Sequence, residues 1–108
     1  MRITILAVSI ILSCFSHTAI SMTGNKLLSD CEGQYSNMYC MGYIVGALDT
    51  WGARPGLRLC IPEDVTQGQM QDITVKYLRN NPETRNHKAT WLVAMAAQEA
   101  FPCGDQTK

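Results

Sequence analysis

The 108-residue chain is poor in charge and in groups that could carry out chemistry. Nine basic and nine acidic side chains cancel at pH 7 and form no polybasic stretch, so nucleic acid and anionic membranes are poor candidates as partners. There is no Cys-x-x-Cys pair to suggest a metal site. A serine-nucleophile motif, a phosphate loop and an array of paired carboxylates are also missing. The sequence therefore predicts a protein that is not an enzyme and holds no cofactor or metal.

No hydrophobic run is long enough to cross a bilayer, which takes about 20 apolar residues. A shorter apolar run, residues 3–15, is followed by small residues at Ala19 and Ser21. This pattern predicts a secretory signal peptide over residues 1–21, leaving one mature domain over residues 22–108 that is not attached to a membrane. A lipoprotein signal at Cys14 is a weaker alternative, because it would leave a very short apolar segment.

Removal of the leader would leave an even number of cysteines. An even number in a small exported chain indicates two disulfides formed in an oxidising compartment. The four are Cys31, Cys40, Cys60 and Cys103. If consecutive helices alternate in direction, Cys31 is expected to form a disulfide with Cys40, and Cys60 with Cys103. The two other pairings also fit the sequence.

Hydrophobic periodicity predicts an all-α fold, a small disulfide-stabilised domain of four helices in up-down order. The first three helices are expected over about residues 25–33, 38–51 and 66–80. An elbow follows, where Asn81 can cap and Pro82 suits the first position of a fourth helix. That helix is expected to reach Phe101, before a proline that cannot continue it.

Local signals mark the beginning of the third helix clearly. Thr66 can accept a hydrogen bond from the first turn while Gln69 reaches back to the Thr66 amide, which is the capping-box arrangement. Val65 and Met70 occupy the two positions of a hydrophobic staple.

The second helix is apolar around most of its circumference, which predicts a central, buried helix. Gly42 and Gly46 within it each cost about 1 kcal/mol relative to alanine, so we expect another element to pack closely against them. Asp49 near its end is expected to form a hydrogen bond or an ion pair with a nearby arginine. The candidate partners are Arg54, Arg58 and Arg85.

With catalysis disfavoured, recognition is the function that the residue types favour. Tryptophan, tyrosine and arginine dominate the energetics of protein interfaces. The chain offers Trp51, Trp91, Tyr35, Tyr39, Tyr43, Tyr77, Arg54, Arg58 and Arg85. Of these, Tyr43 and Tyr77 are better explained as core residues. Arg85, Asn86 and His87 are expected to protrude from the elbow.

Several short segments resemble the Rap/Tai family, which are periplasmic immunity proteins of type VI secretion systems. The matching segments are residues 40–49, 60–62, 66–69, 75–78, 81–85 and 100–103. Their order and spacing extend over nearly the whole predicted mature chain. The elbow departs from the family pattern, in which a histidine is expected at Asn86 and often a proline at Lys88.

The resemblance implies a small helical periplasmic protein, usually a homodimer, that binds and blocks an injected peptidoglycan amidase. The family's effectors are similar to papain-like Cys/His hydrolases, and blocking one would protect the cell from its own or a sibling's toxin. Such inhibition needs a surface that fills the substrate groove, but no chemistry by the inhibitor. We therefore expect the contact at the elbow and on the polar face of the third helix. The expected partner-binding residues are Asn81, Glu83, Thr84, Arg85, Asn86 and His87.

Two other functions stay open at this point. One is a periplasmic stress or acid-response chaperone of similar helical fold, and the other is a Rap/Tai-like domain with a different periplasmic partner. An acid switch would depend on carboxylates that titrate near pH 4, because His87 is the only histidine of the predicted mature chain.

Overall fold

The structure, a computed structural model, describes residues 21–33 and 37–104. Within these residues it contains four α-helices and no strand beyond one isolated bridge between Thr23 and Lys88. The helices are α1 (Gly24–Glu32), α2 (Asn37–Gly52), α3 (Gln67–Asn80) and α4 (Ala89–Ala100). The all-α, disulfide-stabilised four-helix fold is thus confirmed. The expected signal peptide falls almost entirely on residues 1–20, which lie outside the described residues, as does Tyr35.

Two disulfides close the fold, and they are the pairs that alternating helices favoured. Cys31 at the end of α1 is bonded to Cys40 in the first turn of α2, with their Cα atoms 5.0 Å apart. Cys60, in the loop before α3, is bonded to Cys103, just after α4, at a Cα distance of 5.2 Å. The chain from α3 to α4 is therefore connected at both ends, by the elbow and by a disulfide. This closure makes the two helices an antiparallel hairpin.

The core draws on every helix, and α4 packs against each of the other three. Its alanines allow this, since small side chains let neighbouring helices approach closely. The largest fully buried side chains are Leu27, Cys40, Ile44, Thr74, Leu78, Leu92 and Val93. The buried hydroxyl of Thr74 donates a 2.8 Å hydrogen bond to the Met70 carbonyl, so burial does not leave it without a partner.

The capping box at the start of α3 is present as predicted. The Gln69 amide donates to the Thr66 hydroxyl oxygen at 3.1 Å, and the Thr66 amide donates to the Gln69 side-chain oxygen at 2.8 Å. Val65 packs against the core and Met70 is buried, as expected for the two staple positions. The helix therefore begins where its sequence signals place it.

The expected start of the fourth helix is wrong. Pro82–Thr84 form only a single 3-10 turn, and α4 begins at Ala89. The physical reason lies in α1, whose first-turn amides have no acceptor inside their own helix. The Gly24 and Asn25 amides donate to the carbonyls of His87 and Arg85 at 3.0 and 2.8 Å. The Ala89 amide, which a longer α4 would bond to the Arg85 carbonyl, donates instead to the Met22 carbonyl at 2.8 Å. The N-terminal segment thus replaces the helical hydrogen bonds that an earlier start of α4 would need.

Gly24 marks the closest approach between α1 and the rest of the molecule. A Cβ atom added there would lie 2.3 Å from the Leu92 Cδ1 atom and 2.9 Å from the Arg85 carbonyl oxygen. A side chain larger than hydrogen would therefore push α1 away from the elbow and from α4.

Three expectations for α2 are wrong. The helix is not buried all round but along one face, through Cys40, Ile44 and Ala47. Gly42 and Gly46 are exposed, and an added Cβ would meet nothing within 4 Å. Asp49 is also exposed, and the salt bridges of the described residues lie elsewhere, in the pairs Lys26–Asp30 and Arg79–Glu32. Within residues 21–33 and 37–104, the elements that pack against α2 cover only part of its apolar surface.

Gly24 and Gly46 provide a matched pair of alanine substitutions. We expect Gly24→Ala to lower the free energy of unfolding by about 1–3 kcal/mol, because the added methyl overpacks the contact with Leu92. Gly46→Ala should instead raise it by up to about 1 kcal/mol, since alanine favours a helix interior. Urea unfolding measures both, and equal effects from the two substitutions would contradict the close approach at Gly24.

The disulfide that closes the α3–α4 hairpin should make a large contribution to stability. The double variant Cys60→Ala/Cys103→Ala is expected to lose about 4 kcal/mol of unfolding free energy, from the entropy of the released loop. Cys60 is half-buried and Cys103 is exposed, so little packing is lost with the bond. Urea unfolding without reductant tests this, and a loss below about 1 kcal/mol would show that the unfolded chain does not gain the expected freedom.

Candidate interaction surface at the elbow

The elbow, residues 81–88, is an ordered turn held by its own hydrogen bonds. Asn81 donates twice to the Tyr77 carbonyl, from its backbone amide at 3.1 Å and from its side-chain amide at 2.8 Å. Its own carbonyl accepts from the Thr84 amide at 3.2 Å and from the Thr84 hydroxyl at 3.3 Å. The His87 amide then donates to the Thr84 carbonyl at 2.9 Å. These bonds give the segment a defined shape without a partner.

The N-terminal segment before and within α1 anchors the same turn from outside. Besides the two α1 amides bound by elbow carbonyls, the Ala89 amide donates to the Met22 carbonyl at 2.8 Å. Thr23 pairs with Lys88 in the isolated bridge, and its hydroxyl accepts from the Lys26 amide at 3.3 Å. A surface that is already ordered loses little conformational entropy when it binds.

The six residues predicted to bind a partner fall into two groups. Glu83, Asn86 and His87 are exposed, whereas Asn81, Thr84 and Arg85 are half-buried. The expectation that Arg85 protrudes is wrong: its guanidinium Nε is buried and has no hydrogen-bond partner among the described residues, and its carbonyl is held by α1. The exposed group can touch a partner directly, and the half-buried group shapes the turn.

Next to the elbow lies a surface feature that the sequence did not predict, here called the tryptophan cleft. It is an open cleft of about 550 Å³ between the end of α2 and the beginning of α4. Its lining residues are Trp51, Asn86, His87, Lys88, Thr90 and Trp91. Both tryptophans were recognition candidates by residue type, but their distance along the chain gave no sign that they meet. The contact depends on the packing of α2 across the beginning of α4.

Both indole rings of the cleft are held in place. The Trp51 ring donates from Nε1 to the Thr90 carbonyl at 2.7 Å, and the Arg54 guanidinium carbon lies 4.9 Å from the centre of the same ring. The His87 ring is tilted against Trp91, with the ring centres 5.8 Å apart. Trp91 keeps 40% of its surface exposed.

The two tyrosines assigned to the core are half-buried and pack against it. Burial raises the pKa of the Tyr43 hydroxyl, Tyr39 raises it further, and the Thr90 backbone partly offsets both. Burial also raises the pKa of Tyr77, helped by the carboxylates of Glu99 and Glu83. Both tyrosines are therefore partly core residues, each with part of its side chain exposed at the surface.

The polar face of α3, the other expected contact region, forms one wall of a groove with the end of α1. The groove has a volume of about 770 Å³ and its lining includes Asp72, Lys76 and Arg79. The Arg79 Nε atom donates to Glu32 at 2.7 Å, and the Gln71 side chain binds that of Asn37. Part of this face is thus already paired within the chain.

The described residues assemble no metal site, since they contain no cluster of three or more histidine, cysteine or acidic side chains that could hold an ion. Across residues 21–33 and 37–104, no helix has both the length and the apolar character that a bilayer crossing requires. The described chain is a small helical domain held by two disulfides, with an ordered, exposed turn beside an aromatic cleft.

The sequence model of the Rap1a immunity proteins matches residues 23–103. That interval contains the four helices, both disulfides, the elbow and the tryptophan cleft. The chain therefore belongs to the Rap1a immunity protein family, which confirms the resemblance to the Rap/Tai proteins. No curated protein and no solved structure gives a significant match to the chain.

The hydrogen bonding of the two indoles can be tested directly. In a ¹⁵N-labelled protein, the indole N–H of Trp51 should exchange slowly with solvent because it is bonded to Thr90. The indole N–H of Trp91 has no hydrogen-bond partner among the described residues and should exchange fast. Hydrogen exchange followed by NMR measures both in one sample, and equal rates would contradict the anchoring of Trp51.

Proposed function

We propose that this chain is a periplasmic immunity protein of a type VI secretion system. It binds and inhibits a secreted peptidoglycan amidase and so protects the cell from its own or a sibling's toxin. The observation that carries the proposal is membership of the immunity family over residues 23–103. The ordered elbow supports it, because an inhibitor of this kind needs a preformed surface and no catalytic group.

Action in the periplasm agrees with two features of the chain and with the location of the amidase's substrate. The apolar segment at residues 3–15 has the pattern of a secretory signal, and its removal leaves one domain over residues 22–108. Both disulfides require an oxidising compartment to form and persist. The substrate of a peptidoglycan amidase also lies outside the cytoplasm, so the inhibitor and the toxin would meet there.

The proposed inhibition works by filling the substrate groove of a papain-like Cys/His hydrolase. Glu83, Asn86 and His87 would contact the groove, since they are the exposed members of the elbow. Asn81 and Thr84 keep the turn in shape through their bonds to Tyr77 and to each other. An occupied groove excludes peptide and water from the thiolate, so the inhibitor needs no reactive group of its own.

We also propose that the protein is a homodimer, as the family resemblance implies. The exposed side of α2 supports a contact between chains. Met38 and Tyr39 in its first turn keep 89% and 57% of their surfaces exposed. Exposed apolar side chains grouped on one helix are typical of an interaction surface. The acid-response chaperone stays a competing hypothesis, and the family match favours immunity over it.

The proposal expects a gene for a secreted cysteine amidase beside the gene for this chain. The test finds and purifies that enzyme, here called the neighbouring amidase, and measures its hydrolysis of peptidoglycan stem peptides. We expect the wild-type protein to inhibit it and Glu83→Arg to raise the inhibition constant at least tenfold, or about 1.4 kcal/mol. Glu83 is exposed at the tip of the turn, so its reversal leaves the hydrogen bonds of the elbow in place.

The matched control is Glu63→Arg, the same change at an exposed position in the loop before α3, away from the elbow. It should leave both inhibition and thermal stability at the wild-type level. If the wild-type protein does not inhibit the neighbouring amidase, the proposed function is wrong. If it inhibits but the two reversals behave alike, the elbow is not the contact surface.

A further inference from the structure

The chain contains two tryptophans, and the fold brings both to the same cleft. Trp91 is one of three large hydrophobic side chains that stand exposed in the described residues. Trp91 keeps 40% of its surface in water, and a partner that covered this part of the ring would gain favourable free energy from its burial. The exposed ring of Trp91 therefore contributes less to the stability of the free protein than it could contribute to the stability of a complex.

The cleft is also prepared for binding in a second respect. The Trp51 ring is held by its hydrogen bond to Thr90 and is covered by Arg54, while Trp91 lies against His87. Aromatic anchors that are already ordered give up little entropy on docking, and tryptophan is among the residues most enriched at interface hot spots.

The charges around the cleft indicate the chemistry of what binds there. Lys88 and His87 line it, and Arg54 lies over one of its rings. Among the described residues Lys88 and Arg54 form no salt bridge. In the same part of the chain Arg58 and Lys76 are unpaired as well, so what distinguishes Lys88 and Arg54 is their place beside an apolar cleft. Cations left unpaired at the rim of an apolar cleft complement a partner that carries negative charge.

The cleft and the elbow form one continuous surface. Asn86 and His87 belong to both, and Lys88 joins the elbow to α4. A protein seated on the elbow would therefore reach the cleft without any movement of the chain. Contacts to both regions would be made in a single interface.

We infer that the tryptophan cleft is the anchor site of this interface. It receives an apolar side chain from a loop of the amidase, next to a carboxylate of the same loop that pairs with Lys88 and Arg54. This inference rests on the proposed function and adds the chemistry of the partner. The elbow fills the substrate groove, and the cleft holds the enzyme's own acidic, apolar loop beside it.

The experiment uses the full mature chain with both tryptophans replaced by fluorotryptophan, so that every fluorine signal reports from the cleft. The neighbouring amidase, inactivated by alanine at its catalytic cysteine, is added in steps. Both fluorine resonances should shift. In unlabelled protein, Trp91→Ala should weaken binding at least about 30-fold, as expected for an interface hot spot.

Two matched controls separate the cleft from general surface effects. Leu57→Ala removes another partly exposed hydrophobic side chain, in the loop before α3, and should change affinity by less than about threefold, since most surface positions contribute little. Lys88→Glu should weaken binding and flatten its dependence on salt, whereas Arg58→Glu, at an exposed cation of the same loop, should do neither. Slow exchange of the Trp51 indole proton confirms that each variant is folded.

The outcomes distinguish the two proposals. If the wild-type protein does not bind the neighbouring amidase, the proposed function fails and this inference fails with it. If it binds but Trp91→Ala and Leu57→Ala have equal affinity, or the fluorine signals do not move, the cleft assignment is wrong and the immunity function stands. Shifts that depend on protein concentration without the amidase would show a second copy in the cleft and would also overturn it.

Discussion

The interaction on which the rest of the structure depends is the pairing of α1 with the elbow. A helix begins with amides that its own turns cannot satisfy. Here the first-turn amides of Gly24 and Asn25 take the carbonyls of His87 and Arg85. This pairing fixes three things at once. It orders the turn after α3, it delays the beginning of α4 to Ala89, and it requires a glycine where α1 meets Leu92. The elbow is thus a product of contacts between distant parts of the chain.

The delayed start of α4 also creates the proposed recognition surface. Had the helix begun at Pro82, the residues that now form the elbow and one wall of the tryptophan cleft would lie on a regular helical surface. Instead Asn86 and His87 are exposed in a turn, and Trp91 falls in the first turn of α4, beside the end of α2. The hydrogen bond from Trp51 to Thr90 then joins these two helix ends. Fold and surface share one cause, which is the use of elbow carbonyls by α1.

This dependence explains what could be predicted from sequence. The capping box at Thr66 and Gln69 and the number of helices follow from local signals, and the favoured disulfide pairs follow from helices that alternate in direction; all three are confirmed. The start of α4 and the position of Arg85 could not be predicted, because they depend on contacts between distant parts of the chain. The Asn25 amide, for example, donates to the carbonyl of Arg85, which lies about 60 residues further along. The same holds for the cleft, since helical periodicity says which face of a helix is apolar but not which helix end will lie beside another.

The error at Gly42 and Gly46 has a different origin. Glycine inside a helix lowers stability by about 1 kcal/mol relative to alanine, so a close neighbour was a reasonable expectation. Among residues 21–33 and 37–104 no atom of another element lies within 4 Å of a Cβ added at either glycine, and the same side of α2 also exposes Met38 and Tyr39. A helix that is apolar around most of its circumference but buried along one face leaves part of its apolar surface exposed to solvent. In an immunity protein that binds other proteins, the stability forgone on this side of α2 is consistent with a contact made by a second chain, the homodimer proposed above.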